Sequence, residues 1–360
     1  MSKTQLNAKQ ICALFIAVCP LTKLITAPAV FSGYCQEKLW QPLFLNFAVD
    51  FLLIFLCFTI YKRHPNQKFF EILSKTYGKI FAKGIFTLYA VFFIAKSILP
   101  LIEQKEFIEN AFYETLPQAP VFYPIFIVIF FIAVKGYTTL GRTAQLSLFI
   151  SGVGLTLILF LSFPTASFKN LLPLFAFSNK SAPICALNAL SWFNDAIYLL
   201  FFIGHFNSEK SNFKLIFLGY GIMAITVIIY FITFYAIFSY IAPTQELALN
   251  SMSIFGVTLV NVGRFDYVAL FLLAMTGAFA CALPILIATK CLTDAYSLKN
   301  GVIPAGVITL FLVIIIALFS SKYEEVLNFS TKYFTPLYIL CGYLIPLLAL
   351  GGKQIEAQKN

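Results

Sequence analysis

Two short polar interruptions stand inside long apolar stretches, and their side chains could hold a small charged ligand. The first is Cys19-Pro20-Leu21-Thr22-Lys23 and the second is Ser191-Trp192-Phe193-Asn194-Asp195. The Lys23 ammonium group could accept a ligand carboxylate or replace a coupling sodium ion. The Asp195 carboxylate could receive a ligand ammonium group or carry a proton. The predicted ligand-binding residues in the two interruptions are Thr22, Lys23, Ser191, Trp192, Phe193, Asn194 and Asp195, with the two aromatic side chains as pocket walls. The alternatives are a structural ion pair or a position at the membrane interface for Lys23, and ordinary core packing for the aromatic side chains.

Lys96 and Asp50 are two further charged residues inside apolar stretches. An ionised side chain at the centre of a bilayer costs about 2.5–3.5 kcal/mol on insertion scales, so each needs a partner or a function. We include Lys96 among the predicted ligand-binding residues. The alternative is a structural role, in which Lys96 extends toward the outer interface or these residues form ion pairs. The sequence allows the pairs Lys23–Asp195, Lys23–Asp50 and Lys96–Asp195 and does not choose between them.

The composition is that of a polytopic membrane protein. Of the 360 residues, 60% are hydrophobic and 11% are charged, against about 25% charged residues in soluble domains. A membrane span needs roughly 20 apolar residues, and on that rule the chain has about ten. The predicted spans are roughly residues 10–30, 41–61, 80–101, 120–136, 143–163, 184–206, 214–241, 266–289, 301–320 and 334–352.

The two interruptions fall in the first and the sixth predicted spans, which begin the two halves of a five-plus-five arrangement. Interrupted helices at matching positions of two inverted halves are typical of secondary transporters, whose ligand sites lie at these breaks. The predicted fold is therefore all-α, with an inverted repeat and discontinuous first and sixth helices. Residues 1–163 form the first repeat, 164–183 an outer loop, 184–352 the second repeat and 353–360 a tail.

The positive charge is distributed as a topology signal. Most of the 25 Lys and Arg fall in connections on the side of the N-terminus, which predicts that both termini are cytoplasmic. The net charge of +10 therefore predicts contact with membrane lipid at the basic flanks and no nucleic-acid partner.

The chain has no pattern that indicates an enzyme or a cofactor. HExxH, GxSxG and P-loop motifs are absent from the sequence. The eight cysteines show no metal-binding spacing, and buried free thiols are the expected state. Cys35 and Cys185 fall near the same outer face, where a disulfide is the alternative.

Four features of the predicted outer face and spans have structural consequences. Glu103 to Ala119 is predicted to be an acidic outer loop, which could form a short helix at the mouth of the protein. Within Ile241 to Phe265 we expect either a re-entrant or capping helix over an outer vestibule or an interfacial helix with no gating role. Arg264 and Asp266 could form a gate pair or an ordinary interfacial pair. Close helix contacts are expected at the glycines of the fifth and seventh spans, which are Gly152, Gly154, Gly219 and Gly221.

Several short stretches, in order over nearly the whole chain, together resemble the B-subunit of the spore germinant receptors, the endospore germination permeases of the amino acid–polyamine–organocation transporter superfamily. They are Gln10 to Trp40 with its Ala27-Pro28, Arg63-His64-Pro65, Tyr77-Gly78-Lys79, Glu106-Phe107-Ile108, Leu116-Pro117-Gln118-Ala119-Pro120, Lys135-Gly136, Leu140-Gly141-Arg142, Asn170 to Pro173, and Gly263-Arg264-Phe265-Asp266.

The resemblance implies a ten-span inverted-repeat fold in the spore inner membrane. It also implies that a small nutrient germinant, often an amino acid, binds in the core to trigger germination, and that A and C subunits are partners. Lys23 and Lys96 depart from the family pattern, which leaves the ligand open. The alternative function is an amino-acid or amine transporter, coupled to protons or independent of ions.

Overall fold

The all-α membrane class that the sequence predicts is confirmed by the structure. The computed structural model describes residues 6–65, 67–112, 122–173, 181–206, 210–257 and 266–351, and these ranges contain helices and no strand. Six of the described helices are long and apolar enough to span a membrane, and the bent first pair makes a seventh. Three shorter apolar helices complete the set. The count of ten and the inverted repeat remain predictions.

The first span is interrupted where the sequence predicts. It consists of α1 (Ala8–Ala17), α2 (Leu21–Leu24) and α3 (Ala27–Cys35). Pro20 and Pro28 have no N–H to donate and disfavour helical backbone in the residues before them. The chain bends by 63° between the part that ends at Leu24 and the part that begins at Ala27.

The third helix extends further than the sequence predicts. After α4 (Trp40–Arg63) and α5 (Phe69–Tyr77), α6 runs from Lys79 to Phe112, with Pro100 inside it. Its 34 residues measure about 50 Å at 1.5 Å per residue, more than the roughly 30 Å hydrocarbon core. The prediction that a loop begins at Glu103 is therefore wrong, and the residues from there to Phe112 belong to α6.

The sixth predicted span is also interrupted. It follows α7 (Ile125–Lys135) and α8 (Tyr137–Ser162), and it begins with α9 (Ser181–Asn188) and a 3₁₀ turn that ends at Ser191. Helix resumes only at α10 (Ile197–Phe202). Asn194, in the gap, has a φ of +64°, a left-handed conformation that asparagine adopts more readily than most residues.

The remaining helices surround the two interruptions. They are α11 (Lys210–Phe238), α12 (Ala248–Val257), α13 (Asp266–Tyr296), α14 (Val302–Phe319), α15 (Tyr323–Tyr333), α16 (Thr335–Ile339), a π-helical turn Leu340–Leu344, and α17 (Ile345–Leu348). α13 packs against α6 and α8, and α1 packs against α8 and α11.

The proposed gate pair cannot be placed. Arg264 lies outside the described residues, and of Asp266 the structure gives only its position at the start of α13. The outer helix predicted within residues 241–265 is present as α12, although it starts earlier than the apolar stretch from Ile254 that suggested it.

Two of the four glycines of the fifth and seventh spans make close helix contacts. A methyl group at Gly154 would meet Leu273 at 3.0 Å, and one at Gly219 would meet the Cys12 Sγ at 2.6 Å and its Cα at 3.1 Å. Gly152 has nothing within 4 Å, and Gly221 has only the Phe51 ring at 3.9 Å. Small size is therefore required at Gly154 and Gly219 and not at the other two.

We expect Gly219→Ala to destabilise the protein, because the added methyl group would push α1 away from α11. Overpacking of this kind costs about 1–3 kcal/mol, and a lower melting temperature of the detergent-solubilised protein would report it. The matched control is Gly221→Ala on the same helix, which should be neutral or slightly stabilising. Equal melting temperatures for the two variants would contradict the close packing.

Candidate functional site

Lys23 lies at the centre of the bundle and joins the two interruptions. Its side chain is fully buried, and its ammonium group donates to a carboxylate oxygen of Asp195. The same Nζ donates to the Cys19 carbonyl oxygen at 2.9 Å and lies 5.5 Å from the centre of the Phe193 ring. One cation therefore contacts the free backbone of the first break and the side chains of the second.

Lys96 reaches the same place from α6. Its Nζ donates to the Phe193 carbonyl oxygen and lies 3.6 Å from Asp195 Oδ1. The Phe193 carbonyl lies in the unwound stretch, where no helical N–H satisfies it. Lys96 thus gives the second break what Lys23 gives the first, which is a hydrogen-bond donor for a backbone carbonyl at the break.

Asp50, on α4, supplies the opposite kind of group. Its carboxylate accepts the backbone N–H of Asp195 at 3.2 Å and the hydroxyl groups of Tyr220 and Tyr343. A carboxylate that accepts an N–H just before a helix stabilises the start of that helix, which here is α10. Asp50 is therefore held by hydrogen bonds, and Asp195 is the aspartate to which both lysines are paired.

These four residues form a buried unit that we call the charge cluster: Lys23, Asp50, Lys96 and Asp195. All four are at most 3% exposed, and their two positive and two negative charges balance. A charge leaves water at a cost of several kcal/mol, which is recovered only when the partners are close and their other polar atoms are bonded. The cluster meets these conditions without an added ion.

The other residues predicted from the second interruption also lie in the core. The Asn194 Nδ2 donates to the Tyr338 carbonyl oxygen at 3.3 Å, and the side chain packs on Gly342 so closely that a methyl group there would come within 1.6 Å of it. The Ser191 hydroxyl group is buried and has no partner among the described residues. Thr22 is different, because its hydroxyl group bonds to the Cys19 carbonyl within its own turn.

Glu103 forms a second polar layer that the sequence interpretation missed. Its side chain is fully buried, and its Oε1 accepts hydrogen bonds from Thr26 Oγ1, at the first break, and from Trp192 Nε1, at the second, the latter at 2.7 Å. Its Oε2 is buried without a hydrogen-bond partner in the described part of the chain. Lys96 and Glu103 are seven residues apart, so they lie on one face of α6 about 10 Å apart along its axis.

One end of the bundle has a cavity that leads to this layer. A cavity of about 320 Å³ is lined by Thr26, Tyr323 and Glu246. A wider one of about 770 Å³ shares Glu246, Tyr323 and Glu324 with it and adds Glu106 and Glu325. We call this end of the molecule the acidic end. The charge cluster and Glu103 line neither cavity, so the core is closed in this conformation.

The outer helix α12 completes the first break. The backbone N–H of Ala248, its first residue, donates to the Ile25 carbonyl oxygen at 2.7 Å. Ile25 lies between α2 and α3, so its carbonyl has no helical donor. The structure therefore gives α12 a contact with the site.

The described residues offer no metal centre. Among them, no group of three or more His, Cys, Asp or Glu side chains could hold a metal ion. All eight cysteines are free, and the Cys35 thiol, on α3, is in hydrogen-bonding contact with the Cys185 thiol, on α9.

Two interrupted helices with a buried polar site between them define a membrane protein of the transporter type. Two solved structures, both of mutants of the manganese transporter of Eremococcus coleocola, share this fold. Each has a TM-score of 0.61 at 14% sequence identity and covers 98% of this chain and 82% of the transporter chain. At this identity the similarity concerns the fold.

The chain belongs to the spore permease family of spore germination proteins, whose family model matches residues 5–330. A relative in Bacillus subtilis (strain 168), named as a spore germination protein, YfkT, is 27% identical over 152 residues. That alignment spans 41% of this chain and 41% of the relative. The family that the sequence resembles is thus confirmed, and family and fold are those of a non-enzymatic, multi-pass membrane permease.

We expect Asp195→Asn to destabilise the protein strongly, because Lys23 and Lys96 would both lose their carboxylate partner in the core. Removing one partner of a buried ion pair costs about 3–5 kcal/mol. The measurement is the melting temperature and the yield of monodisperse protein in detergent. The double variant Asp195→Asn/Lys96→Met, which restores the balance of charge, should recover part of the loss.

The surface pair Lys322–Glu325, at 3.2 Å and largely exposed, is a matched control. Glu325→Gln should change stability by less than about 1 kcal/mol, as exposed pairs do. If Asp195→Asn behaved like this control, the charge cluster would not be what holds the two breaks.

Proposed function

We propose that this protein is a ligand-sensing, permease-like subunit of a spore germinant receptor, and that it binds a small nutrient of the amino-acid class between its two interrupted helices. Membership of the spore permease family supports the germination role. The transporter-type fold, with polar groups buried at both breaks, supports a binding site in the membrane core.

The observation that carries the proposal is the state of Glu103. One oxygen is held by Thr26 and Trp192 from the two breaks, while the other is buried and has no partner in the described residues. An unsatisfied buried acceptor costs about 1–3 kcal/mol or more. A ligand ammonium group at Oε2 would remove this cost, and the ligand would then touch a carboxylate that both interrupted helices share.

The charge cluster has a complementary role in the proposal. Lys23 and Lys96 occupy positions where transporters of this architecture bind cations with free carbonyls, so a coupling ion is not needed to hold the breaks. The predicted contacts of Lys23 and Asp195 with ligand remain a prediction, because in this closed conformation each satisfies the other. When the core opens, Lys23 and Asp195 would have to either separate from each other or move as an intact pair.

Signalling would then follow from a shift in conformation. A ligand that binds the closed core more tightly than an open one shifts the population toward the closed state by its difference in affinity. The surfaces of α3 and α9 would transmit this change to A and C subunits, which we propose as partners in the spore inner membrane with both termini cytoplasmic.

The second candidate function is transport of an amino acid or amine. The observation in its favour is the similarity of fold to a manganese transporter over 98% of this chain. Net uptake separates the two functions, because a sensor need not complete the cycle that releases ligand on the other side.

We expect an amino acid to raise the melting temperature of the purified protein, tested with each common amino acid in turn. Glu103→Gln should weaken that response by about 10- to 100-fold in concentration, because a hydrogen bond to a charged group contributes about 1.5–3 kcal/mol. Glu106→Gln is the matched control. Glu106 lies one turn further along α6 and lines the cavity of about 770 Å³ at the acidic end, so this variant should keep the response. Equal loss in both variants, or in neither, would contradict a site at Glu103.

Uptake into proteoliposomes, with and without a proton gradient, then tests the sensor against the transporter. Ligand stabilisation without net uptake supports the sensor. Uptake that Glu103→Gln abolishes and Glu106→Gln retains would make the protein a transporter.

The Cys35–Cys185 contact provides a direct test of movement. A mild oxidant should cross-link these two thiols, and the amino acid that stabilises the protein should change the rate of cross-linking. The reason is that Thr26 directly precedes α3 and Trp192 follows the 3₁₀ turn after α9, and both side chains bond to Glu103. Mass spectrometry of the cross-linked peptide gives the measurement, and Cys35→Ser is the control. An unchanged rate at saturating ligand would count against a signal passed through these helices.

A further inference from the structure

A groove on the lipid-facing surface between α4 and α11 is not part of the site described above. It has a volume of about 750 Å³, and its walls are made mainly of large apolar side chains from the two helices. Several of them are well exposed, including Phe55 at 67% and Ile225 at 60%. The apolar lining includes Phe55, Phe58, Phe217, Leu218, Ile222 and Ile225.

Two lysines stand at one end of this groove. Lys62, at the end of α4, and Lys214, near the start of α11, both line it and are both exposed. The Lys62 Nζ lies 4.3 Å from the centre of the Phe58 ring, and neither lysine is paired with a carboxylate in the described part of the chain. The neighbouring Arg63 side chain already has a hydrogen-bond partner within the protein, since it donates to the Leu350 carbonyl oxygen at 2.8 Å.

The length of the groove matches one leaflet of a bilayer. Lys214 and Ile225 are eleven residues apart on α11, which is about 16 Å at 1.5 Å per residue. Half of the roughly 30 Å hydrocarbon core is about 15 Å. If the phosphate group of a phospholipid lies beside Lys214, its acyl chain would therefore extend along the full length of the apolar walls of the groove.

Gly221 keeps the middle of the groove open. A methyl group there would meet only the Phe51 ring at 3.9 Å, so no contact within the protein requires a glycine. The absence of a side chain instead leaves room between Phe217 and Ile225 on the same face of α11.

We propose that this groove is a binding site for an anionic phospholipid, with the acyl chains along the apolar walls and the phosphate group between Lys62 and Lys214. The walls alone would accept any lipid tail, and it is the two unpaired ammonium groups at the end of the groove that select a negatively charged headgroup. Basic pockets between membrane helices recognise anionic headgroups in this way.

The test measures lipid binding to the full-length protein in a neutral detergent, by native mass spectrometry. The probes are phosphatidylglycerol, phosphatidylcholine with the same acyl chains, and soluble glycerol phosphate. We expect phosphatidylglycerol to bind in preference to both of the others. Lys62→Gln/Lys214→Gln should weaken its binding about 30-fold, which corresponds to an attraction of about 1 kcal/mol for each lysine.

Two matched controls make the result specific. Lys79→Gln/Lys299→Gln removes two exposed lysines that do not line the groove, and it should leave binding unchanged. Gly221→Phe should block the acyl seat and weaken binding, whereas Gly152→Phe, on an equally open face of α8, should not. Melting temperatures identify variants that fail to fold.

Three outcomes would overturn the proposal. Equal binding of phosphatidylcholine would mean that the groove takes any tail. Binding of glycerol phosphate as strong as that of the lipid would indicate a free-anion site. Unchanged binding in both the lysine and the Gly221 variants would place the lipid elsewhere.

Discussion

The structure depends on one constraint: a helix that is interrupted inside a membrane leaves polar backbone groups that only the protein can satisfy. At the first break, the Cys19 carbonyl receives the Lys23 ammonium group and the Ile25 carbonyl receives the first N–H of α12. At the second, the Phe193 carbonyl receives Lys96 and the Asp195 N–H is bound by Asp50. The buried charges and the breaks are therefore necessary to one another.

This arrangement explains why the charges come as a balanced set. A lysine that satisfies a carbonyl in the core brings a positive charge, which requires a carboxylate nearby. Asp195 meets this requirement for both lysines, and Asp50 adds the second negative charge while it holds the start of α10. Because each residue bonds to groups on other helices, the cluster joins α2, α4 and α6 to the unwound stretch of the sixth span.

The sequence was sufficient to predict the two breaks, because several polar residues fall together within each of two apolar runs, at matching positions of the two halves. A single charge was not a sufficient signal, since Asp50 and Lys96 lie in continuous helices. It was not sufficient to choose the pairs, because the rotation of each helix is decided by packing. Asp50 was a candidate partner for Lys23, and the structure instead gives Lys23 to Asp195.

Glu103 was missed for a different reason. The run of charged residues that begins at Glu103 predicts an acidic outer loop after the third span. The spacing of these charges instead favours a helix, because Lys105 and Glu109 are four residues apart, as paired charges on one helical face are. In the structure they form an ion pair at 3.0 Å. Lys96 and Glu103, seven residues apart, fall on one helical face.

The position of Glu103 indicates the end of the molecule from which a ligand would reach the site. The charge cluster lies deeper and is already satisfied, so an incoming cationic group has little to gain there. Glu103 lies nearer the acidic end, where Glu106, Glu246 and Glu324 line the cavities, and acidic walls raise the local concentration of cations. In the proposed function, a ligand that arrived by this route would meet Glu103, whose Oε2 has no partner among the described residues, before it met the balanced cluster. Recognition at Glu103 and support of the breaks by the charge cluster can therefore be separate tasks, and a change at Glu103 still reaches both interrupted helices through Thr26 and Trp192.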